Sequence, residues 1–245
     1  MTSKRYVLAA LLALTGVTLA AGPPSPVTDV VDSGTFTLYL RGERVGEERF
    51  VIREDRGGDA GPIYRSRAQV NLKLENRTVR INVGFEGIGA NSRLRRYEAE
   101  INGGETTTIV AETRADRIRL SVRSRGGDEM KEFLVRGPTT VLDLNIAHHY
   151  FFALKLLEAS GSGRAYVLTP RQRTNEQVTL QDRGSEVTQF AGQRMELRHV
   201  TLTTESGSVH HIWARDDKVM KVEVPDLQFR AERSGSDMGG GTGGP

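Results

Sequence analysis

The chain has 245 residues, with 34 Lys and Arg against 31 Asp and Glu, 37% hydrophobic residues, 6% aromatic residues and no cysteine. The absence of cysteine excludes a disulfide scaffold and any Cys-based zinc site, and the length and balance of apolar and charged residues fit one or at most two globular domains. The net charge of +3 hints at nucleic acid, but Lys4 and Arg5 lie in a start free of acidic residues, and residues 22–245 hold 32 basic and 31 acidic side chains.

Such a near-neutral chain with few aromatics lacks the clustered basic surface and stacking platforms of a nucleic-acid binder, so no nucleic-acid partner is expected. Residues 1–21 combine the basic Lys4 and Arg5, an apolar stretch from Tyr6 to Leu19 and the small residues Ala20 and Ala21. That three-part layout is a secretory signal peptide, and about 14 apolar residues are fewer than the roughly 20 that span a bilayer. The expectation is a periplasmic or otherwise exported protein, cleaved after Ala20 or Ala21 and not integral to the membrane. Without a cysteine at the cleavage point there is no attachment site for a lipid, and stability must come from a hydrophobic core.

Residues 22–33 read as an extended spacer and residues 234–245, with six glycines, as a disordered tail. Between them, residues 34–233 show no linker and no fixed-period repeat, which predicts a single domain. Period-two alternation dominates it. Phe36, Leu38 and Leu40 alternate with Thr35, Thr37 and Tyr39, and the chain then turns through Arg41–Gly46 into Phe50–Ile52. Ala68, Val70, Leu72 and Leu74 share one face, as do Val79, Ile81, Val83 and Phe85. Asn102-Gly103-Gly104 is a hairpin signal before Thr107–Thr113, and Ile118, Leu120 and Val122 form the next stripe. Further strands fit 130–135, 164–168, 177–181, 195–203, 209–214, 219–224 and 227–231. The predicted fold class is mainly β: one large curved antiparallel sheet, a half-barrel or barrel, with a single apolar face to cover.

One helix is predicted, over about residues 143–158, with Asp143 or Thr140 as N-cap and Gly161-Ser162-Gly163 as the stop. Ile146, Tyr150, Ala153 and Leu157 lie on one side, Phe151, Leu154 and Leu156 on others, and only His148, Lys155 and Glu158 form a polar stripe. A helix apolar nearly all round is buried on most faces, which places it across the concave side of the sheet. A membrane-spanning outer barrel is the rival geometry, but its outward apolar belt and aromatic girdles do not suit 6% aromatics and a buried helix.

The segment from Val141 to Leu154, which contains Asp143, Asn145, His149 and Tyr150, is followed by Thr169-Pro170-Arg171-Gln172 and by the closing stretch Ile212–Pro225 with Trp213 and Asp216. In that order of motifs the chain resembles a family of exported bacterial proteins of unknown function. The resemblance implies a half-barrel of the lipoprotein-carrier (LolA/LolB-like) type, a place in the cell envelope and no established reaction.

The histidines are His148, His149, His199, His210 and His211. Adjacent histidines on a helix point about 100° apart and on a strand to opposite faces. If the 205–208 turn pairs Thr204 with Val209, His199 stands opposite Ala214, roughly 13 Å along the strand from His210 at about 3.3 Å per residue. No metal site is therefore expected, nor any cofactor. His149 falls on the buried side of the helix, and reads first as a core histidine satisfied by a backbone carbonyl or by Asp143. Asp143 reads first as a cap, the Tyr150–Phe152 run as core, and Trp213, expected opposite Val200 and on one strand face with His211, as core too.

No Gly-x-Ser-x-Gly elbow, phosphate loop or His-Glu-x-x-His occurs, so no catalytic residue is assigned and the protein is not expected to be an enzyme. The expected function is a non-catalytic binding module whose curved sheet and helix hold a hydrophobic small molecule, lipid, acyl chain or lipidated partner, with His149, Tyr150, Asp143 and Trp213 as ligand-contacting candidates. The alternatives are an envelope assembly factor with a filled core and a protein partner, and an enzyme using His149 with Asp143.

Overall fold

The computed structural model describes residues 27–56, 61–75, 77–160 and 163–234. The signal peptide and nearly all of the glycine-rich tail read from the sequence lie outside these residues. The strands are β1 (Val27–Leu40), β2 (Glu43–Arg56), β3 (Ile63–Leu74), β4 (Arg77–Ile88), β5 (Arg93–Asn102), β6 (Thr106–Arg114), β7 (Arg117–Ser124), β8 (Gly127–Leu134) and β9 (Thr139–Val141). The helix α1 (His149–Ser160) follows, and then β10 (Arg164–Thr169), β11 (Thr174–Phe190), β12 (Gln193–Thr204), β13 (Val209–Arg215), β14 (Lys218–Val224), a 3₁₀ turn (Pro225–Leu227) and β15 (Phe229–Arg233).

All fifteen strands form one curved sheet in the order β8-β7-β6-β5-β4-β3-β2-β1-β15-β14-β13-β12-β11-β10-β9. Neighbours are antiparallel, as the alternation predicts, except β9 and β10, which pair in parallel. The short crossover is made by α1, which joins those two strands across the concave face. The pairing of β1 with β15 splices the two halves of the chain into one sheet.

Strand β1 starts seven residues before the spacer was expected to end. Residues 27–33 are extended, as read, but they are paired to β2. The reason is an inward ion pair: Asp32, 3% exposed, meets Arg233 of β15 at 2.6 Å, and Arg233 also donates to the carbonyls of Val219 and Ser33. The hairpin turns are tight. At Arg41-Gly42 both φ angles are positive, 54° and 81°, the backbone that matches a two-residue turn to the strand twist, so β2 begins at Glu43 and not after Gly46.

The inward residues of β1–β7 and β10–β15 and nearly the whole of α1 form one continuous core. Phe152 packs on Phe85 of β4 with ring centroids 4.2 Å apart, and Phe151 meets Tyr64 of β3 edge-on at 6.2 Å. The helix thus fills the concavity, with Tyr150–Leu154 and Leu156 all buried. The free edge β8 is tied across the opening to the β10–β11 turn: Glu129 pairs with Arg173 at 2.8 Å and Lys131 donates to the Arg173 carbonyl at 3.0 Å. Among the described residues no helix is long and apolar enough to cross a membrane.

Candidate functional site

The helix begins six residues later than the sequence suggests, and neither Asp143 nor Thr140 caps it. Thr140 lies in β9, and residues 142–148 form a turn in which Asn145 has a φ of 58°. The cap comes from a strand a hundred residues away. Glu48 of β2 points inward in the stripe of Phe50 and Ile52, fully buried. Its carboxylate accepts from the backbone N–H groups of Ala147 (2.5 Å) and His148 (3.1 Å) and contacts His148 Nδ1. A carboxylate at the positive end of the helix satisfies N–H groups that have no partner within the helix itself.

His148 Nε2 continues the chain to Ser66 Oγ of β3 at 3.0 Å. Glu48, His148 and Ser66 thus stand in the order of a hydrolytic triad. All three are 2% exposed or less, and the carboxylate is occupied by the helix, so the relay as it stands clamps the start of α1. Sequence reading missed it. The available signal was the polar residues within apolar stripes: Glu48 and Glu54 flanking Phe50 and Ile52, and Ser66 among Tyr64, Ala68 and Val70.

His149 and Asp143 do meet, but through the backbone: the Asp143 N–H donates to His149 Nδ1 at 3.2 Å. This leaves the ring proton on Nε2, which has no partner among the described residues. Burial holds the His149 pKa well below its usual range, with nearby His148 and Arg171 acting the same way. The Asp143 carboxylate is committed elsewhere. Tyr97 Oη of β5 donates to it at 2.6 Å, and Arg171 Nε in the β10–β11 turn donates at 2.9 Å. Burial and the Asp143 charge raise the Tyr97 pKa far above its ordinary value. Asp143 is therefore a polar tie between β5, the turn before α1 and the β10–β11 turn.

On the other side of the helix start lies a cleft of about 280 Å³. Leu142, Leu144, Ile146, Leu202 of β12 and Phe229 of β15 provide its apolar surface, and Asp143, Glu176, Ser206, Ser208 and Asp226 its polar one. At its wall Tyr150 Oη and His210 Nδ1 are 2.8 Å apart. Burial pushes the His210 pKa down to about 4, with Asp226 opposing it, and burial raises that of Tyr150. The pair is accordingly a neutral imidazole and a neutral phenol at pH 7. Of the four residues singled out from the sequence, Asp143 and Tyr150 line this cleft, and His149 and Trp213 do not. A larger recess of about 690 Å³ is an open trough on the outer face of β2–β6, floored by charged and amide side chains such as Arg49, Arg67, Asn82 and Glu98. The smaller cleft is the better candidate because the buried Asp143 and the part-buried Tyr150–His210 pair are set there beside apolar surface.

Trp213 is buried on the opposite face of the sheet, in a separate cluster with Phe190, Leu197 and Met220. The long β11–β12 hairpin, bulged between Asp182 and Gly184, brings Gln189 over this face, where its carbonyl accepts from Lys221. The turn after β12 holds one residue more than expected: Thr203, not Thr204, pairs with Val209. One residue of register exchanges the faces that meet, so His199 stands opposite Trp213 and Val200 opposite Ile212. His199, expected opposite Ala214 and far from His210, thereby stands with its Nε2 3.0 Å from His211 Nδ1. Among the described residues no group of three or more His, Asp or Glu side chains is placed to hold a metal ion.

No family model matches the chain, and no curated protein matches it. Among solved structures, a crystal structure from Brucella abortus, described as a beta-barrel-like protein of the domain of unknown function DUF1849, is similar at a TM-score of 0.48 and 7% sequence identity, covering 82% of this chain and 94% of that chain.

Proposed function

We propose that the protein is an exported, non-catalytic binding module of the bacterial cell envelope, and that the cleft beside the start of α1 takes one small amphipathic ligand. The ligand class is a short acyl chain or the acylated end of a lipid or lipidated partner. The observation that carries this reading is the cleft itself, where apolar side chains meet the part-buried Tyr150–His210 pair in about 280 Å³. That volume lies near the lower end for small-molecule sites, roughly 300–1,000 Å³, and suits a chain end better than a whole lipid.

The concave face gives no room for more, because α1 and the sheet fill it with one continuous core. Export and envelope location rest on the signal-peptide layout of residues 1–21, and the lipoprotein-carrier comparison rests on the motif resemblance. The non-catalytic reading is supported by the Asp143 carboxylate, which serves Tyr97 and Arg171 and does not orient His149.

Native mass spectrometry with lipid extraction, on mature protein purified from the envelope fraction, tests the proposal. The expected result is a co-purifying acyl species that is lost from Ser208→Trp, a substitution that fills the cleft from its rim. Clean protein, or an acyl species retained unchanged by Ser208→Trp, overturns it; clean protein favours an assembly factor with a filled core.

A further inference from the structure

We propose that His199 and His211, on the face of the sheet opposite α1, form a two-imidazole site for a divalent late first-row transition-metal ion, Cu2+ ahead of Ni2+ and Zn2+. The facing nitrogens are 3.0 Å apart. Two ring nitrogens bound to one ion at about 2.0–2.1 Å lie roughly 2.9 Å apart in a square plane and roughly 3.3 Å apart in a tetrahedron. The pair stands between those separations, and because the ring centroids, 5.2 Å apart, lie nearly in line with the two nitrogens, both rings must tilt for their lone pairs to converge on one ion.

The far side of His199 is already arranged for ligation. Glu186 Oε2 lies 2.6 Å from His199 Nδ1, which fixes the ring proton there and leaves the Nε2 lone pair facing His211. A carboxylate behind a histidine in this way orients metal-binding imidazoles and raises their basicity. In the metal-free pair His211 donates its Nδ1 proton to His199. Binding an ion requires the His211 proton to pass from Nδ1 to Nε2, a tautomer change through water with no net proton released, after which both facing nitrogens offer lone pairs. Water completes the coordination, because among the described residues no third protein ligand is in place.

The neighbouring charges nearly offset. Arg183, bonded to Thr201 at 3.2 Å, and Lys221 are cationic, whereas Glu186 and Glu223, which pairs with Lys221 at 2.8 Å, are anionic. Imidazole ligands with open water positions suit Cu2+ best in the affinity order of divalent ions. The site lies on the other face from the acyl cleft, and neither proposal depends on the other.

The chain carries its own reporter. Trp213, its one tryptophan, has its indole 4.9 Å from the His199 ring and 5.7 Å from that of His211. Titrating the purified protein with Cu2+ is expected to quench tryptophan emission saturably at one equivalent, and His199→Gln or His211→Gln to raise the midpoint by at least tenfold. Glu186→Gln, at a side chain 48% exposed, is expected to weaken binding by about 10–100-fold. Absent or linear quenching of the wild type, or an unchanged midpoint in His199→Gln, overturns the site. Should the histidine variants not fold, electron paramagnetic resonance of the Cu2+-loaded wild type decides, two imidazole nitrogens coupled to copper being required and fewer than two overturning the proposal.

Discussion

Glu48 shows how much one side chain carries in this molecule. It is a buried carboxylate whose partners are two helix N–H groups and an imidazole. Removing it leaves all three unsatisfied in the core. Glu48→Ala is expected to cost at least about 1–3 kcal/mol, the range for leaving a buried donor unsatisfied, and Glu48→Gln markedly less because the amide oxygen still accepts; chemical denaturation of the two variants checks the order. His210 makes a second prediction at this scale. Its pKa is pushed down from 6.5 to about 4 in the folded state, so between those values the unfolded chain binds the proton that the folded chain refuses. The stability is complete above about pH 6.5 and is lost as the pH falls towards 4. Urea midpoints measured across pH 7 to 4 are expected to fall, and His210→Gln to flatten the fall.

The elements divide into what is written locally and what is imposed from a distance. Alternation such as Ala68-Val70-Leu72 in β3 or Ile118-Leu120-Val122 in β7 reads directly as strand, because period two is a local property of the chain. The apolar run from Tyr150 to Leu156 reads as a buried helix for the same reason. The helix start does not, since the residue that fixes it is Glu48, in a different strand. The Asp143 role also escapes local reading, as its partners Tyr97 and Arg171 come from β5 and the β10–β11 turn. The His199–His211 contact depended on a single turn residue, which local patterns do not determine to that precision. Gly163, ahead of β10, offers a test at this scale. Its φ is 66°, and a Cβ there would stand 2.3 Å from the Leu180 carbonyl oxygen. Gly163→Ala is expected to cost at least about 1–2 kcal/mol and to lower Tm by roughly 2–8 °C in a thermal melt.

At the scale of the whole molecule, one sheet is made from two halves of the chain, and the seam between β1 and β15 is closed from inside. Arg233 joins Asp32, the carbonyls of Ser33 and Val219, and the rings of Phe36 and Phe50 at 5.4 and 5.2 Å. Arg233→Met strands Asp32 in the core and is expected to cost about 3–5 kcal/mol, and the double variant Asp32→Asn/Arg233→Met to recover a large part of that loss, because a buried ion pair removed whole is tolerated far better than one broken. Denaturant unfolding of the two single variants and the double variant checks this. With the seam, the filled concavity and the tie from β8 to Arg173, the cleft at the start of α1 is a place where the apolar interior and the part-buried Tyr150–His210 pair meet open space. The most direct measurement of its role is a titration of the ¹⁵N-labelled protein with a short-chain fatty acid, read from the His210 imidazole and the backbone amides of residues 142–146 and 202–210. Saturable shifts confined to those groups and abolished by Ser208→Trp are the expected result; shifts spread over the outer face, or none at those groups, contradict it.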